Sequence, residues 1–340
     1  MSKPITDANT PNVQNGVTTR SIMADVIIAI CPAAVYGCIL FGLKALLVLL
    51  VTVLSAVAAE FLWNLLFKKE QTVGDLSAIV TGLLLGLTLS SETPLWVAAI
   101  GSVIAIIIVK QAFGGIGNNF VNPALAARIV LLVAFPAMMT TFAAPLTSYG
   151  DTVDTVTAAT PLVADVAPNL RDLFFGMHAG AIGETSAFLL LIGGLYLTAR
   201  KVICPIIPVA FLGVYTLITL ISGGKVFGEL FSGGIMLGAI FMATDHSTSP
   251  HKMLGRAIYG IGCGIIAFLI RRFSNLPEGV SYAIVFMNIL TLLINHIPPL
   301  KSFSLKNPIN AELIKRPLNK LKDKFSKKIK ETEKEDKEND

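Results

Sequence analysis

Few side chains in this 340-residue chain combine reactive chemistry with surroundings that could use it. The stretch DTVDTVTAATPL, Asp151 to Leu162, sets threonine hydroxyls beside two carboxylates and a proline. Taken alone it describes many loops, and Asp151 and Asp154 read more simply as solvated charges than as a catalytic base. Glu60 falls within the second apolar run and Arg128 within the fifth. A charge within a bilayer span costs about 2.5–3.5 kcal/mol on insertion scales and marks a functional site by default, here a candidate ion pathway at Glu60. Glu60 and Arg128 either pair with each other, or Glu60 lies at an interface one or two turns before Lys68. Asn119, Asn122 and Asp245 occupy GGIGNNFVNPA and ATDHSTSP, where polar residues and proline break the apolar pattern. Either they cap helix ends or they face a bound polar ligand, because irregular backbone at membrane depth survives only beside protein or a polar cavity. Asp25 opens the first apolar run near Arg20 and reads as an interfacial pair. His246 and His251 lack metal-ligand spacing, the four cysteines form no CxxC, and no metal is expected.

The elements that hold these residues are membrane spans. The last forty residues carry 12 of the 27 Lys and Arg and 8 of the 22 Asp and Glu. The remaining body has about one charge in ten residues, against about one in four for a soluble domain. With 54% hydrophobic residues, a water-soluble fold is excluded. The formal charge of +5 resides mostly in the tail, so it is no nucleic-acid footprint and no nucleic-acid partner is expected. Apolar runs cover residues 22–43, 45–67, 76–90, 95–109 and 124–142, then 186–198, 202–221, 233–243, 257–270 and 280–297. They predict an all-α integral membrane protein of about ten crossings. Residues 1–19 are polar and lack a cleavable signal pattern. Lys3, Arg20, Lys68, Lys69, Lys110, Arg200, Lys201, Lys252 and Arg256 fall on one side, and Lys44, Arg171, Lys225, Arg271 and Arg272 on the other. The richer side is cytoplasmic, which puts both termini inside and the long polar interval outside.

The halves resemble each other. TGLLLGLTLS at Thr81–Ser90 aligns with GGIMLGAIFM at Gly233–Met242, with Gly86 over Gly238, and NNFVNPALA at Asn118–Ala126 falls opposite SNLPEGVSY at Ser274–Tyr282. About five crossings separate the copies, so the second is inverted. The third and eighth runs, in equivalent places, are both short. At about 1.5 Å per residue the third reaches only about 22 Å of a hydrocarbon core about 30 Å thick. Paired short segments of this kind point to broken helices around a midplane site; alternatively, flanking Gly, Ser and Thr extend both. The predicted segments are a cytoplasmic lead-in at 1–21, a first five-helix repeat at 22–142, an extracytoplasmic loop at 143–184, a second repeat at 185–300 and a charged cytoplasmic tail at 301–340. The tail has apolar residues near helical spacing and reads as an interfacial or solvated helix that ends in disorder.

From Arg20-Ser21-Ile22-Met23 and the Pro32-containing first run to the end of the tenth, the sequence resembles the D subunit of Rnf-type electron-transport complexes. That family is related to the B subunit of sodium-pumping NADH:quinone reductase. The most specific element is the flavin-attachment motif, typically Ser-Gly-Ala-Thr, which falls on Thr157-Ala158-Ala159-Thr160 and is followed by Pro161-Leu162. Thr157 and Ala158 depart from the commonest pattern, but both stay small. The resemblance implies that the Thr160 hydroxyl is esterified to the phosphate of FMN, outside the membrane, by a separate flavin transferase. A phosphate tether leaves the flavin ring free for electron transfer. GMHAGAIGETS, Gly176 to Ser186, also matches the family. Its Glu184 and Thr185 either approach the flavin or cap the following helix, and His178 is a further candidate contact.

The resemblance further implies a scaffold like that of urea transporters and a non-covalent riboflavin in the membrane body, for which Asn119, Asn122 and Asp245 are the candidate polar contacts. Expected partners are the lipid bilayer and the other Rnf subunits, including an extracytoplasmic FMN-carrying subunit and Fe-S subunits. The chain has neither a Rossmann fingerprint nor a CxxCxxC run, so NAD and ferredoxin fall to those subunits. The implied function is electron relay between ferredoxin and NAD modules, coupled to Na+ or H+ movement across a bacterial or archaeal cytoplasmic membrane. The residues leave two other classes open: an inverted-repeat channel or secondary transporter without a redox role, and a purely structural anchor.

Overall fold

The computed structural model describes residues 18–145, 170–184, 186–274 and 279–296. All regular elements among them are helical. Helix α1 (Thr19–Phe41) starts at Thr18, whose Oγ1 accepts a hydrogen bond from the Ser21 amide at 3.2 Å. Gly42, at φ 71°, ends it and lets α2 (Leu43–Leu66) begin at once. Helix α3 (Ser77–Thr88) and α4 (Leu95–Val103) follow, and α4 runs on as a π-helix over Ile104–Gln111. Asn122 and Pro123 start α5 (Pro123–Ala134). Phe135 cannot stay helical ahead of Pro136, so the chain breaks there into the short α6 (Pro136–Met139).

Helix α7 (Leu170–Phe175) leads into α8 (Ala187–Ala199), and α9 (Ile206–Ile221) into the short α10 (Val226–Leu230). Next come α11 (Ile235–Leu237), continued as a π-helix over Gly238–Met242, then α12 (Met253–Phe273) and α13 (Gly279–His296). Four helices, α1, α2, α12 and α13, are long and apolar enough to cross a membrane, and several shorter apolar helices accompany them. The third run forms a helix of 12 residues, about 18 Å long. The eighth, Ile235–Met242, is shorter still. Gly86 faces Thr52 and Leu49 of α2, whereas Gly238 faces Val280 and Ile284 of α13.

Polarity is distributed as it is in a bilayer protein. Leu43, Leu54, Leu66, Leu195, Ile221 and Leu293 point outward, while Glu60, Lys110, Asn64, Arg128 and Asn288 are buried. Water would favour the reverse; lipid accepts the apolar exterior and drives polar groups toward one another. Small residues permit close helix contact. A Cβ on Gly260 or Gly264 of α12 would come 2.7 or 2.8 Å from backbone oxygens of α9, so α9 and α12 touch almost backbone to backbone.

Three expectations need correction. Asp25 does not turn to Arg20: it accepts a hydrogen bond from Tyr196 at 2.9 Å and pairs with Arg200 at 3.2 Å, joining α1 to the end of α8. Glu60 and Arg128 do not pair with each other, because each has a different partner. Lys110 is not a loop charge. The fourth run extends past Val109, and its π-turns, whose bonds skip one residue more than α-turns, carry Lys110 and Gln111 into the interior.

Candidate functional site

The innermost charges form one network at the starts and ends of four segments. Glu60 of α2 is fully buried and Lys110 is 2% exposed. Lys110 Nζ lies 2.8 Å from Glu60 Oε2 and donates to Ser77 Oγ, at the start of α3, at 2.5 Å. Glu60 Oε1 accepts from Gln111 Nε2 at 3.0 Å and from the Thr72 hydroxyl at 2.6 Å. Asn64 Nδ2 donates to Thr72 Oγ1 at 3.0 Å, and Ser77 donates to Asp75 Oδ1 at 2.5 Å. Thr72 itself is exposed, so the network reaches from the protein surface to a charge with no solvent contact. Glu60 and Lys110 compensate each other, and the surrounding donors satisfy the remaining carboxylate lone pairs.

Lys110 and Ser77 also line a cavity whose far wall is the end of α11 and the turn after it. Asn119, Asn122 and Asp245 all line this cavity, so the structure brings the three expected polar contacts together. They do different work there. Asn122 caps α5: its Oδ1 accepts from the amides of Ala124 and Leu125, and its Nδ2 donates to the Met242 carbonyl at 3.3 Å. Asp245 orders its own turn by accepting from Ser247 and Thr248. Asn119 is different: its Oδ1 is buried and has no donor among the described residues, an arrangement that costs free energy unless another group, a ligand or water completes it. Phe241, Val80 and Leu84 supply apolar wall. The cavity holds about 90 Å3.

A second group surrounds the start of α11. Arg128 of α5 donates to the Thr88 carbonyl at the end of α3, and its Nη2 stands 3.9 Å from Glu184 Oε1. Glu184 lies in a 3-10 turn (Ile182–Glu184) and is buried against Gly234, where a Cβ would come 2.7 Å from its Oε1. It does not cap α8. Ser186 does, accepting from the Leu189 amide at 3.3 Å. His178 is buried in the loop just before, and burial pushes its imidazole down to about 4. Beside them Arg271 of α12 donates to the carbonyls of Glu229, Ser232 and Gly233 and to the Tyr215 hydroxyl.

The flavin-motif residues Thr157, Ala158, Ala159, Thr160, Pro161 and Leu162 lie outside the described residues, as do Thr185 and the tail 301–340. Among the described residues no group of three His, Cys, Asp or Glu side chains could hold a metal ion. Sequence reasoning did not assign Lys110, Gln111, Ser77 or Thr72 to a site. The available signal was the need of a membrane-buried Glu60 for a cation.

An all-helical membrane body with short helices meeting around a buried polar cavity defines a multi-pass membrane protein with an internal site. The chain belongs to the NQR2, RnfD, RnfE family, whose model matches residues 6–303. It is 46% identical over 298 residues to the D subunit of the Na(+)-translocating ferredoxin:NAD(+) oxidoreductase complex of Acetobacterium woodii, spanning 85% of this chain and 92% of that protein. It is 38% identical over 312 residues to the D subunit of the proton-translocating ferredoxin:NAD(+) oxidoreductase complex of Clostridium ljungdahlii, spanning 85% and 93%. It is 39% identical over 317 residues to the D subunit of the ion-translocating oxidoreductase complex of Stutzerimonas stutzeri, spanning 81% and 89%.

Proposed function

We propose that this chain is the membrane-embedded D subunit of an Rnf-type ion-translocating ferredoxin:NAD(+) oxidoreductase complex, an oxidoreductase that is complete only with its other subunits. The observation that carries this reading is the match to the A. woodii D subunit along 85% of the chain, in a sequence that also holds Thr157-Ala158-Ala159-Thr160-Pro161-Leu162. Relatives of similar extent are named for sodium and for protons, so the coupled ion is a monovalent cation whose identity their names leave open. The other subunits, Fe-S and FMN-carrying ones among them, exchange electrons with ferredoxin and NAD.

In this reading Thr160 holds FMN through a phosphoester on the extracytoplasmic side, installed by a flavin transferase. Both termini are cytoplasmic, and about ten crossings form two inverted repeats in a cytoplasmic membrane. The paired cations support the repeat: Lys110 ends the helix after α3 and binds at the start of α3, while Arg271 ends the helix after α11 and binds at the start of α11. Bound flavin supplies one- and two-electron transfer; the chain supplies position and electrostatics. For a non-covalent riboflavin, the unsatisfied acceptor of Asn119 and the third ammonium proton of Lys110 suit the N–H and C=O edge of the ring, and Phe241 suits its face. Small-molecule sites hold about 300–1,000 Å3, so the cavity of about 90 Å3 does not fit the ring in this structure.

The test is the purified complex run in a denaturing gel under ultraviolet light. The band of this chain fluoresces, and Thr160→Ala removes the fluorescence while the complex still assembles. A dark wild-type band from material matured with an active flavin transferase would overturn the Thr160 assignment.

A further inference from the structure

The end of the bundle that carries α7 and α10 presents an aromatic surface with charge at its edge. Phe174 of α7 meets Phe231, the residue that closes α10, with ring centroids 5.4 Å apart and planes at 70°. Phe175 and Phe188 on one side and Phe227 on the other extend the cluster to five rings. The cluster is not a closed core, because Phe175 is 48% exposed and Phe227 57%. Between α7 and α10 lies an open hollow of about 290 Å3, lined by Leu170, Phe174, Phe175, Phe227, Phe231 and, as its single polar member, Arg171. We infer that this hollow binds an anionic phospholipid of the bilayer, with an acyl chain against the phenylalanine rings and the phosphate at Arg171 and Lys225.

The chemistry of the walls selects the ligand. Rings and aliphatic carbon offer nothing to pair with a buried polar group, so the part that enters must be apolar. A concave, exposed apolar surface of this kind marks an interaction site. The guanidinium on the same wall then calls for an anion at the rim. Arg171 is exposed and has no ion-pair partner among the described residues. Lys225, also exposed, immediately precedes α10 and stands two positions before Phe227. Of the carboxylates on the two helices, Glu229 is turned away and accepts a hydrogen bond from the Tyr215 hydroxyl at 2.9 Å. Only Asp172, half-buried beside Arg171, offsets the two cations. A guanidinium can donate two parallel N–H bonds to a phosphate, and the lysine adds a point charge. All five rings are phenylalanine, without the polar tip by which Tyr and Trp hold an ordinary membrane interface. The rings therefore serve the chain of the lipid, and its head is left to the cations.

The experiment uses the whole purified complex in phosphatidylcholine vesicles that contain a small share of a phosphatidylglycerol analogue with a photoreactive acyl chain. After illumination, the labelled peptides are identified by mass. The analogue should mark the peptides that hold Phe174 and Phe175 and those that hold Phe227 and Phe231. Unlabelled phosphatidylglycerol should displace it, whereas added phosphatidylcholine or oleate should not. Arg171→Gln and Lys225→Gln, both at exposed positions, should each lower the labelling roughly fivefold, the effect of one basic side chain at an anionic lipid surface, and Arg171→Lys should keep most of it. Equal labelling of the wild type by phosphatidylglycerol and phosphatidylcholine analogues overturns the site, because the rings are then ordinary lipid-facing surface. Unchanged labelling in both Gln variants overturns it too. Displacement by oleate as readily as by phosphatidylglycerol overturns the phospholipid assignment. Lack of any lipid adduct in this cluster, with cross-links from it to a neighbouring subunit instead, makes the hollow a protein interface and overturns the lipid reading.

Discussion

Lys110 and Arg271 occupy similar places, each buried or half-buried at a helix end and each holding the start of a short interrupted helix, yet they are bound in opposite ways. Arg271 is fixed by three backbone carbonyls and a tyrosine hydroxyl, with its guanidinium 5.5 Å over the Tyr215 ring. Lys110 is held by one carboxylate and one hydroxyl beside a cavity. Carbonyls cannot change charge or rotate away, so the arginine end is a fixed joint. The lysine end instead depends on a buried carboxylate, whose charge must be compensated. The same anchoring problem is thus solved once with neutral carbonyls and once with an ion pair.

The largest expected effect strikes the lysine end. Lys110→Met leaves Glu60 buried without a counter-charge and costs about 3–5 kcal/mol, read as a fall in the thermal midpoint of the purified complex. Adding Glu60→Gln to it should return most of that stability; a double variant as unstable as the single one would show that the unpaired Glu60 charge is not the cause. At the arginine end, Arg271→Lys gives up the planar fork and costs about 1–3 kcal/mol, read in the same thermal midpoint. A loss as large as that of Lys110→Met would erase the distinction between the two ends.

The group around the start of α11 also predicts a pH effect of defined sign. Burial holds the His178 imidazole at about 4, whereas an unfolded histidine titrates near 6.5. The unfolded state therefore binds more protons between these values. The contribution is fully present above about pH 6.5 and is lost as pH falls toward 4. By pH 5 the loss amounts to about 2 kcal/mol, at 1.36 kcal/mol per pH unit. His178→Gln should flatten this part of the stability profile, which a thermal melt series from pH 7.5 to 5 would detect. The smallest effect is at the joint between α5 and α11. Asn122→Ala removes a helix cap and the bond to Met242 and costs about 1 kcal/mol. A loss of bound non-covalent flavin far out of proportion to that would promote Asn122 from cap to ligand contact.

Much of this organisation was legible in the sequence. The apolar runs, the Asn122-Pro123 helix start and the shortness of the third and eighth segments follow from residue type and spacing alone. Lys110 was not legible, because a lysine after an unbroken apolar run, IAIIIV, reads as the water end of a span. Only the π-turns from Ile104 rotate it inward, and a pattern read at a period of 3.6 has no term for them. Arg271 was hidden for a similar reason: paired with Arg272 it looks like a loop charge, although its guanidinium is consumed by carbonyls 38 to 42 residues earlier in the chain. Asp25 had a cation close by in Arg20, but the fold supplied Arg200 from the far end of α8. Long-range pairing of this kind is set by helix packing, which local sequence does not encode.

The most direct measurement is the mass of the peptide containing Thr160, taken from the mature chain within the assembled complex. The account predicts an FMN phosphoester on that threonine, and none in Thr160→Ala. An unmodified Thr160 peptide from complex matured with an active flavin transferase would contradict it.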